Sequence, residues 1–362
     1  MKILIGGGGT GGHIYPALAL ARYALAVNPE NSVLFVGSAK GLENKIVPSA
    51  GFDLHTIAAS GFKRNVKGVG RTLSDLRAGI KEAKKIITDY KPSVIFGTGG
   101  YVAAPLVIAG LMKGYPVVLH EQNALPGMTN RWLAPFTKKI CLSFAETAQK
   151  MSFRSKTVLT GNPRASEVKE VSREEGASYF NLDLNEKTVL IYGGSRGAEK
   201  LNQVVSKYIE KSDMPANINL IYITGEIYFE EIGGRLSNLS RKLKLYPYLD
   251  QMPFALAAAD LVVTRSGATT LAEITALGIP AILIPSPNVV NNHQYFNARI
   301  LADKGAALLI EEDNFNEQRL AVEIERLLDD PQELLNMVNA SKSLGMPDAA
   351  ARVYRVLEEV AL

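Results

Sequence analysis

Six glycines in seven positions, Gly6-Gly7-Gly8-Gly9-Thr10-Gly11-Gly12, follow the short run Lys2-Ile3-Leu4-Ile5 and precede an apolar, helix-forming stretch over residues 14–27. So little side chain at this point leaves the chain one economical course, a sharp turn from a buried strand into a helix. Such a turn directs backbone N–H groups outward at a helix N-terminus, and that arrangement binds anions. Glycine suits it because a Cβ would block both positive φ angles and the close approach of a phosphate. His13 closes the loop and is its one titratable side chain. The spacing Gly7-x-Gly9-x-x-Gly12 also matches the dinucleotide fingerprint, but that fingerprint needs an acid at the end of the second strand to hold a ribose. Here Ser32-Val33-Leu34-Phe35-Val36 runs into Gly37-Ser38-Ala39, which argues against a nicotinamide enzyme.

Strand and helix signals alternate onward from the loop, over residues 33–36, 42–49, 54–57, a long basic helix and then 93–96. Short apolar runs separated by helices describe an α/β domain with a parallel sheet, whose ligands collect at the carboxyl ends of the strands. The basic helix region carries Lys63, Arg64, Lys67, Arg71, Arg77, Lys81, Lys84, Lys85 and Lys91 against only Asp75, Glu82 and Asp89. Leu73, Leu76, Ile80, Ala83, Ile87 and Tyr90 recur at alternating spacings of three and four, giving one apolar stripe. This reads either as a solvated basic face over a core stripe or as a contact for anionic lipid headgroups through Lys63, Arg64, Lys67 and Arg71.

Charge is unevenly spread. Residues 1–165 carry 21 Lys and Arg against 8 Asp and Glu, and the remainder carries 19 against 28. The front half is built to meet something anionic. Nucleic acid is a poor match, since the basic residues lack interleaved aromatics and no helix-turn-helix or zinc spacing occurs. A single cysteine, Cys141, excludes an internal disulfide and suggests a reducing compartment. Neither a signal peptide nor a span of ~20 apolar residues is present.

A second glycine turn, Gly97-Thr98-Gly99-Gly100-Tyr101, ends the strand at 93–96 and offers a pyrophosphate a second set of N–H groups on Gly99, Gly100 and Tyr101. Four polar residues, His120-Glu121-Gln122-Asn123, close the next strand, where ligand contacts are expected, with His120 joining the second glycine turn as a pyrophosphate contact. Thr160-Gly161-Asn162-Pro163-Arg164 marks a domain boundary: residues 1–164 form one domain and 165–362 a second whose terminal helix is free to pack back on the first, a two-domain clamp for a nucleotide and a second anionic molecule. Arg164 at such a hinge is either a surface ion-pair residue or a cation for a bound phosphate. The second half restarts the pattern. A strand at 188–192 leads into Gly193-Gly194-Ser195-Arg196-Gly197-Ala198, a phosphate-type turn with a hydroxyl and a cation on Ser195 and Arg196. Further on, Arg265-Ser266-Gly267 opens a helix on which Thr269 and Thr270 are expected to act as caps, with Glu273 either completing a capping box or holding two vicinal ribose hydroxyls.

These motifs, taken in order with Pro16, His293-Gln294 and Asn297-Ala298, resemble one bacterial family, the N-acetylglucosaminyltransferases that convert lipid I to lipid II in peptidoglycan synthesis. The resemblance covers nearly the whole chain. It implies a GT-B fold, with two Rossmann-like parallel-sheet domains facing across a cleft, an inverting mechanism, and neither cofactor nor catalytic metal. The implied donor contacts fall on Thr10, Gly11, Gly12, Asn123, Arg164, Ser195, the run Ala268, Thr269, Thr270, Leu271, Ala272 and Glu273, and Gln294, with the uracil held by the backbone at Leu249. Family members often carry two glutamines where this chain has His293-Gln294, so the sugar contact rests on Gln294. Implied partners are UDP-N-acetylglucosamine, lipid I, an anionic membrane surface and other cell-wall synthesis proteins, with no nucleic acid. The implied location is peripheral, on the cytoplasmic face of the bacterial inner membrane. For the departing diphosphate the chain offers Ser195, Arg164 and Arg196. For the general base it offers His13 first, with Glu121 and His120 as alternatives. A UDP-sugar 2-epimerase, which shares the fold, and a non-catalytic membrane scaffold are the competing readings.

Overall fold

The computed structural model describes residues 1–61, 66–168, 171–194, 197–211, 218–236 and 242–362, with the side chains of 66–69 also left aside. Lys63, Arg64, Ser195, Arg196 and the side chain of Lys67 therefore lie outside the described residues. By internal packing the chain divides into two units, Met1–Ser166 with Asp348–Leu362, and Glu167–Pro347.

The first unit is built on seven parallel strands: β1 (Lys2–Gly6), β2 (Ser32–Ser38), β3 (Leu54–Ile57), β4 (Val94–Gly97), β5 (Val117–Glu121), β6 (Lys139–Leu142) and β7 (Thr157–Leu159). They lie in the order β3-β2-β1-β4-β5-β6-β7. Ile3 of β1 registers with Val33 on one side and Val94 on the other. Side chains alternate across a strand, and both faces are covered. Ile3, Ile5 and Phe35 pack with the helix Gly11–Val27, whereas Leu4, Val36 and Ile95 pack with Ala83 and Ile87 of the helix Val66–Tyr90 and Leu106 of the helix Gly100–Met112. The helices that leave β1 and β4 thus cover opposite faces, and the strand order reverses between those two strands.

The second unit repeats the plan with β8 (Lys187–Tyr192), β9 (Ile218–Ile223), β10 (Leu243–Tyr246), β11 (Leu261–Thr264), β12 (Ala281–Leu283) and β13 (Ala307–Leu309), ordered β10-β9-β8-β11-β12-β13 and parallel throughout. Val189, Ile191, Tyr222 and Val263 form one core with Leu201 and Val205 of the helix Glu199–Lys211 and Leu320 and Ile324 of the helix Glu317–Asp329. Asp260 anchors the first helix of this unit, Arg173–Phe180. Its carboxylate takes both Arg173 Nη groups, at 2.8 and 3.0 Å, and the Thr188 N–H at 2.9 Å. That helix carries a complete capping box, Ser172 with Glu175.

Three sequence expectations are corrected. The first helix begins at Gly11, so Gly11, Gly12 and His13 are its opening turn rather than part of a preceding loop. Thr269 and Thr270 do not cap the helix Ala268–Leu277. Gly267 holds the N-cap position without a side-chain bond, which places both threonines inside the helix. The stripe on the Val66–Tyr90 helix is a core stripe only at its carboxyl-terminal end. Ala83 and Ile87 are fully buried while Leu73 is 52% exposed.

The terminal helix Ala349–Val360 completes the first unit. Tyr354 meets Tyr23 edge to face at 5.8 Å and its hydroxyl accepts from Asn31 Nδ2 at 2.9 Å, while Val353 and Leu357 are fully buried against the first helix. Deleting a buried leucine side chain typically costs 2–5 kcal/mol. Leu357→Ala is therefore expected to lower the unfolding free energy by about 3 kcal/mol in urea titrations, although the residue lies nearly the whole chain length from the strands it covers.

Candidate active site

In open parallel sheets ligands bind outside the carboxyl ends of the strands where the order reverses. In the first unit that point lies between β1 and β4, so the two glycine turns stand side by side. A Cβ on Gly100 would lie 3.1 Å from the His13 imidazole, and one on Gly9 would lie 3.3 Å from the Tyr101 ring. Gly99 and Gly100 both adopt positive φ, 89° and 74°, which sets the entry of the second helix. At the other opening, Thr10, Gly11 and Gly12 carry the first N–H groups of a helix, while the His13 N–H donates back to the Thr10 carbonyl at 3.1 Å. His13 is half-buried and Gly12 exposed. Arg164, on the turn Pro163–Ser166, places its guanidinium 5.6 Å from the centre of the Tyr15 ring, one turn further along the same helix.

The sequence reading missed what holds this loop. Glu43 is fully buried and accepts from Gly9 N–H at 2.8 Å, Ser38 N–H at 2.9 Å and the Ser38 hydroxyl at 2.7 Å. Burial alone would disfavour its charge, but the Gly9 and Ser38 donors outweigh that and hold the carboxyl below its ordinary value. Gly8, Gly37 and Gly41 are glycines because a Cβ on any of them would collide with this carboxylate. Only Gly9 among the loop glycines 6–12 needs a positive φ, 80°. The one signal in the sequence was an acid a few residues beyond the end of β2. It occupies the crevice with its own chain's N–H groups as partners, not with a ribose.

At the end of β5 the four polar residues separate by direction. His120 is fully buried. Its Nε2 donates to the Gly161 carbonyl at 3.0 Å, and its Nδ1 accepts from Gln122 Nε2 at 3.1 Å, which also donates to the Thr98 carbonyl at 2.8 Å. Burial first, and secondarily the proximity of His13, lowers its pKa to about 4 despite the Gly161 bond. With both ring nitrogens engaged, His120 is a strut between β5, β4 and the 160–162 segment, and its reading as a pyrophosphate contact or base is corrected. Glu121 is corrected likewise. It is 2% exposed and accepts from Asn123 N–H at 3.0 Å, Gly127 N–H at 2.9 Å and Asn130 Nδ2 at 2.8 Å. Burial raises its pKa against those bonds, and the carboxyl organises the 122–127 loop. Asn123 remains half-buried on that loop, its carbonyl accepting from the Thr147 hydroxyl at 3.0 Å.

In the second unit the reversal lies between β8 and β11, and a cavity of about 380 Å³ opens there, lined by Gly193, Lys200, Arg265, Ser286, Gln294 and Glu312 among others. Gly197 N–H donates to the Gly194 carbonyl at 2.9 Å, and Asn202 Nδ2 anchors the neighbouring Thr224 carbonyl at 2.8 Å. Gln294 spends its Oε1 on the Ser286 N–H at 2.9 Å, so its Nε2 is what it offers a ligand, and its carbonyl accepts from the Ser266 hydroxyl at 2.8 Å. That bond ties the 265–273 segment to 293–297. Within the segment, Leu271 is 1% exposed and belongs to the core, which leaves only its backbone for a ligand. Ala268 and Glu273 are buried, and Thr270 and Ala272 half-buried. Thr269 keeps a buried hydroxyl without a hydrogen-bond partner. Leu249 is 8% exposed in the turn after β10, at the same carboxyl edge. Arg265 and its partner Glu312 carry the described charges nearest this edge that the sequence reading left unassigned.

Two parallel-sheet units, each with a glycine turn at its reversal point, have the architecture of the GT-B glycosyltransferases. The N-terminal domain model of glycosyltransferase family 28 matches residues 3–142 and its C-terminal domain model matches 188–353. A relative from Bacillus cereus named UDP-N-acetylglucosamine–N-acetylmuramyl-(pentapeptide) pyrophosphoryl-undecaprenol N-acetylglucosamine transferase 1 is 44% identical over 371 aligned residues, covering 99% of each chain. The crystal structure of MurG from Acinetobacter baumannii superposes with a TM-score of 0.78 at 26% identity over 99% of both chains. A UDP-GlcNAc 2-epimerase from Neisseria meningitidis shares the fold, with a TM-score of 0.68 at 14% identity over 99% of this chain and 100% of its own. The chain belongs to family 28, in the branch of these N-acetylmuramyl-(pentapeptide) pyrophosphoryl-undecaprenol N-acetylglucosamine transferases.

A histidine whose pKa falls from 6.5 unfolded to about 4 folded contributes stability that is present above pH 6.5 and lost as the pH falls towards 4. The full loss for His120 amounts to about 3 kcal/mol. Urea unfolding at pH 7 and pH 5 should show this decline, and His120→Gln should flatten it.

Proposed function

We propose that this chain transfers N-acetylglucosamine from UDP-N-acetylglucosamine to the C4 hydroxyl of the N-acetylmuramyl-pentapeptide of undecaprenyl-pyrophosphate-linked lipid I, forming the β-1,4 linkage of lipid II and releasing UDP. The observation that carries this reading is the cavity at the carboxyl edge of the second sheet, in a chain aligned end to end with transferases of that name. The donor belongs to the second unit. Gln294 Nε2 and the 268–273 helix start hold the sugar and ribose, and the Leu249 backbone holds the uracil. Positive potential for the departing diphosphate comes from the N-terminus of the Glu199–Lys211 helix, which Ser195 and Arg196 precede in sequence.

The acceptor belongs to the first unit. Its pyrophosphate suits the N–H groups of the second glycine turn at Gly99, Gly100 and Tyr101. His13 is the base. It stands against Gly100, where an acceptor bound on the second glycine turn would present its hydroxyl, and its rivals His120 and Glu121 are occupied in the interior. The acceptor oxygen attacks the anomeric carbon as the carbon–oxygen bond to the diphosphate breaks, the proton passes to His13, and the configuration inverts.

The chain also sits on the membrane that carries its acceptor, peripherally and on the cytoplasmic face. No described helix is long and apolar enough to cross a membrane. An exposed apolar strip supports surface attachment: Met128 and Trp132 on the helix Met128–Leu133 and Phe136 just beyond it are 61%, 75% and 69% exposed, beside exposed Arg131 and Lys138. Exposed Arg71, 3.9 Å from Asp75, is the described member of the basic group on the long helix.

Transfer of radiolabelled N-acetylglucosamine to a short-chain lipid I analogue, in EDTA, tests the assignment. His13→Ala should lose about 10²- to 10⁴-fold in kcat while UDP still binds. Consumption of UDP-N-acetylglucosamine without acceptor would instead select the epimerase. In vesicle sedimentation, the double substitution Trp132→Ser and Phe136→Ser should weaken binding to anionic vesicles at least tenfold with soluble-acceptor turnover retained, since each aromatic loses about 1.5 kcal/mol or more of apolar burial.

A further inference from the structure

The cavity of the second unit holds a charge pair that sugar recognition does not require. Arg265 follows β11 directly, and its guanidinium is held on two sides. Nη1 donates to the Ile284 carbonyl at 3.1 Å, and Nη2 is ion-paired with Glu312, on the turn Glu312–Asn314. Both side chains line the cavity and are mostly withdrawn from water, 11% and 18% exposed. Among the described lining residues, Lys200 and Arg265 stand with Glu199 and Glu312, so the formal charges cancel. A site for a nucleoside diphosphate gains nothing in affinity from a carboxylate on its best-placed cation. Arg265 is shared between an internal anion and any ligand phosphate.

The reaction changes the ligand's charge at this point. In a UDP-sugar both phosphates are diesters and carry one negative charge each. When the anomeric carbon–oxygen bond breaks, the electron pair stays on the terminal phosphate, which then holds close to two charges at neutral pH because its second ionisation lies near pH 6. The attacking oxygen's bond to the same carbon balances the step, and its proton leaves with the base.

We infer that Glu312 is a product-release determinant: held against Arg265, it penalises the additional charge of free UDP more than it penalises the dianionic UDP-sugar. The inference rests on the reading of this cavity as the diphosphate site. One further unit of charge about 4 Å from a carboxylate alters affinity by about fivefold when water and the paired guanidinium screen the carboxylate to a water-like effective dielectric.

Calorimetric titration of the full chain with UDP and, separately, with UDP-N-acetylglucosamine tests it. Glu312→Gln keeps the side chain's size and removes its charge. It should tighten UDP about fivefold and UDP-N-acetylglucosamine less than twofold, with the UDP product-inhibition constant falling in step. Asp313→Asn removes a charge from the same turn at an exposed residue outside the cavity lining and should leave both affinities as they were. Weaker or unchanged UDP binding in Glu312→Gln would show a strut that merely positions Arg265. Equal tightening of both ligands, or the same tightening in Asp313→Asn, would show a general field effect. Either result overturns the inference. Failure of the unsubstituted protein to bind UDP at all would instead overturn the placement of the donor.

Discussion

A parallel sheet has to return each strand by way of a helix, and right-handed crossovers put successive helices on one face until the strand order reverses. Everything functional in this chain depends on the two places where that happens, between β1 and β4 and between β8 and β11. At each, two helices leave towards opposite faces and no crossover fills the gap between their N-termini. The first-turn N–H groups there have no intrahelical partner and no room for side chains, so glycine collects at the turns and anions become the natural ligands. The chemistry follows from connectivity before any particular side chain is considered.

What the first turn needs besides glycine is an anchor. A loop of small residues has little enthalpy of its own with which to resist the entropy of an open chain. Glu43 provides it by closing three hydrogen bonds from a fully buried position, one to Gly9 and two to Ser38. A buried carboxylate is tolerable only when its oxygens are matched by donors, and the collisions waiting at Gly8, Gly37 and Gly41 show how closely the backbone has been drawn around it. Much of the glycine richness thus answers to an internal anion as well as to an external one. Glu43 also lies just beyond the end of β2, where the dinucleotide fingerprint would place a ribose-binding acid, and its carboxylate is spent on the loop's own donors.

The strands and the glycine turns were readable from the sequence because fully buried parallel strands are uniformly apolar and because turns of this kind tolerate almost no other residue. Direction was not readable. His120, Glu121, Gln122 and Asn123 look alike as a polar run at a strand end, yet the first three are buried, and only the register of β5 with β6 and the packing of Thr98, Asn130 and Gly161 decide that. Leu271 stands within a ligand-binding segment but turns to the core. Leu73 fits a helical stripe whose neighbours are buried, yet the core ends before reaching it. Glu43 and the particular docking of the 349–360 helix were illegible for a different reason. Their partners lie 34 residues and more than 300 residues away, at Gly9 and Asn31, and no local pattern encodes such pairs.

The two reversal points are also unlike in charge, and the difference matches the demands of a displacement reaction. The described part of the first is neutralised from within by Glu43 and presents outward backbone N–H groups, a half-buried imidazole and Arg164 over Tyr15. Such a surface can orient a pyrophosphate beside an imidazole. The second has an arginine at the head of β11 whose charge is already divided with Glu312. The guanidinium's attraction grows as charge develops on the leaving phosphate, and the carboxylate offsets part of that gain and so limits how tightly the finished product is kept. Catalysis is served by interactions that strengthen in the transition state, and turnover by interactions that do not persist afterwards. A guanidinium shared between a fixed carboxylate and a transient phosphate trades some of the first for the second with a single pair of residues.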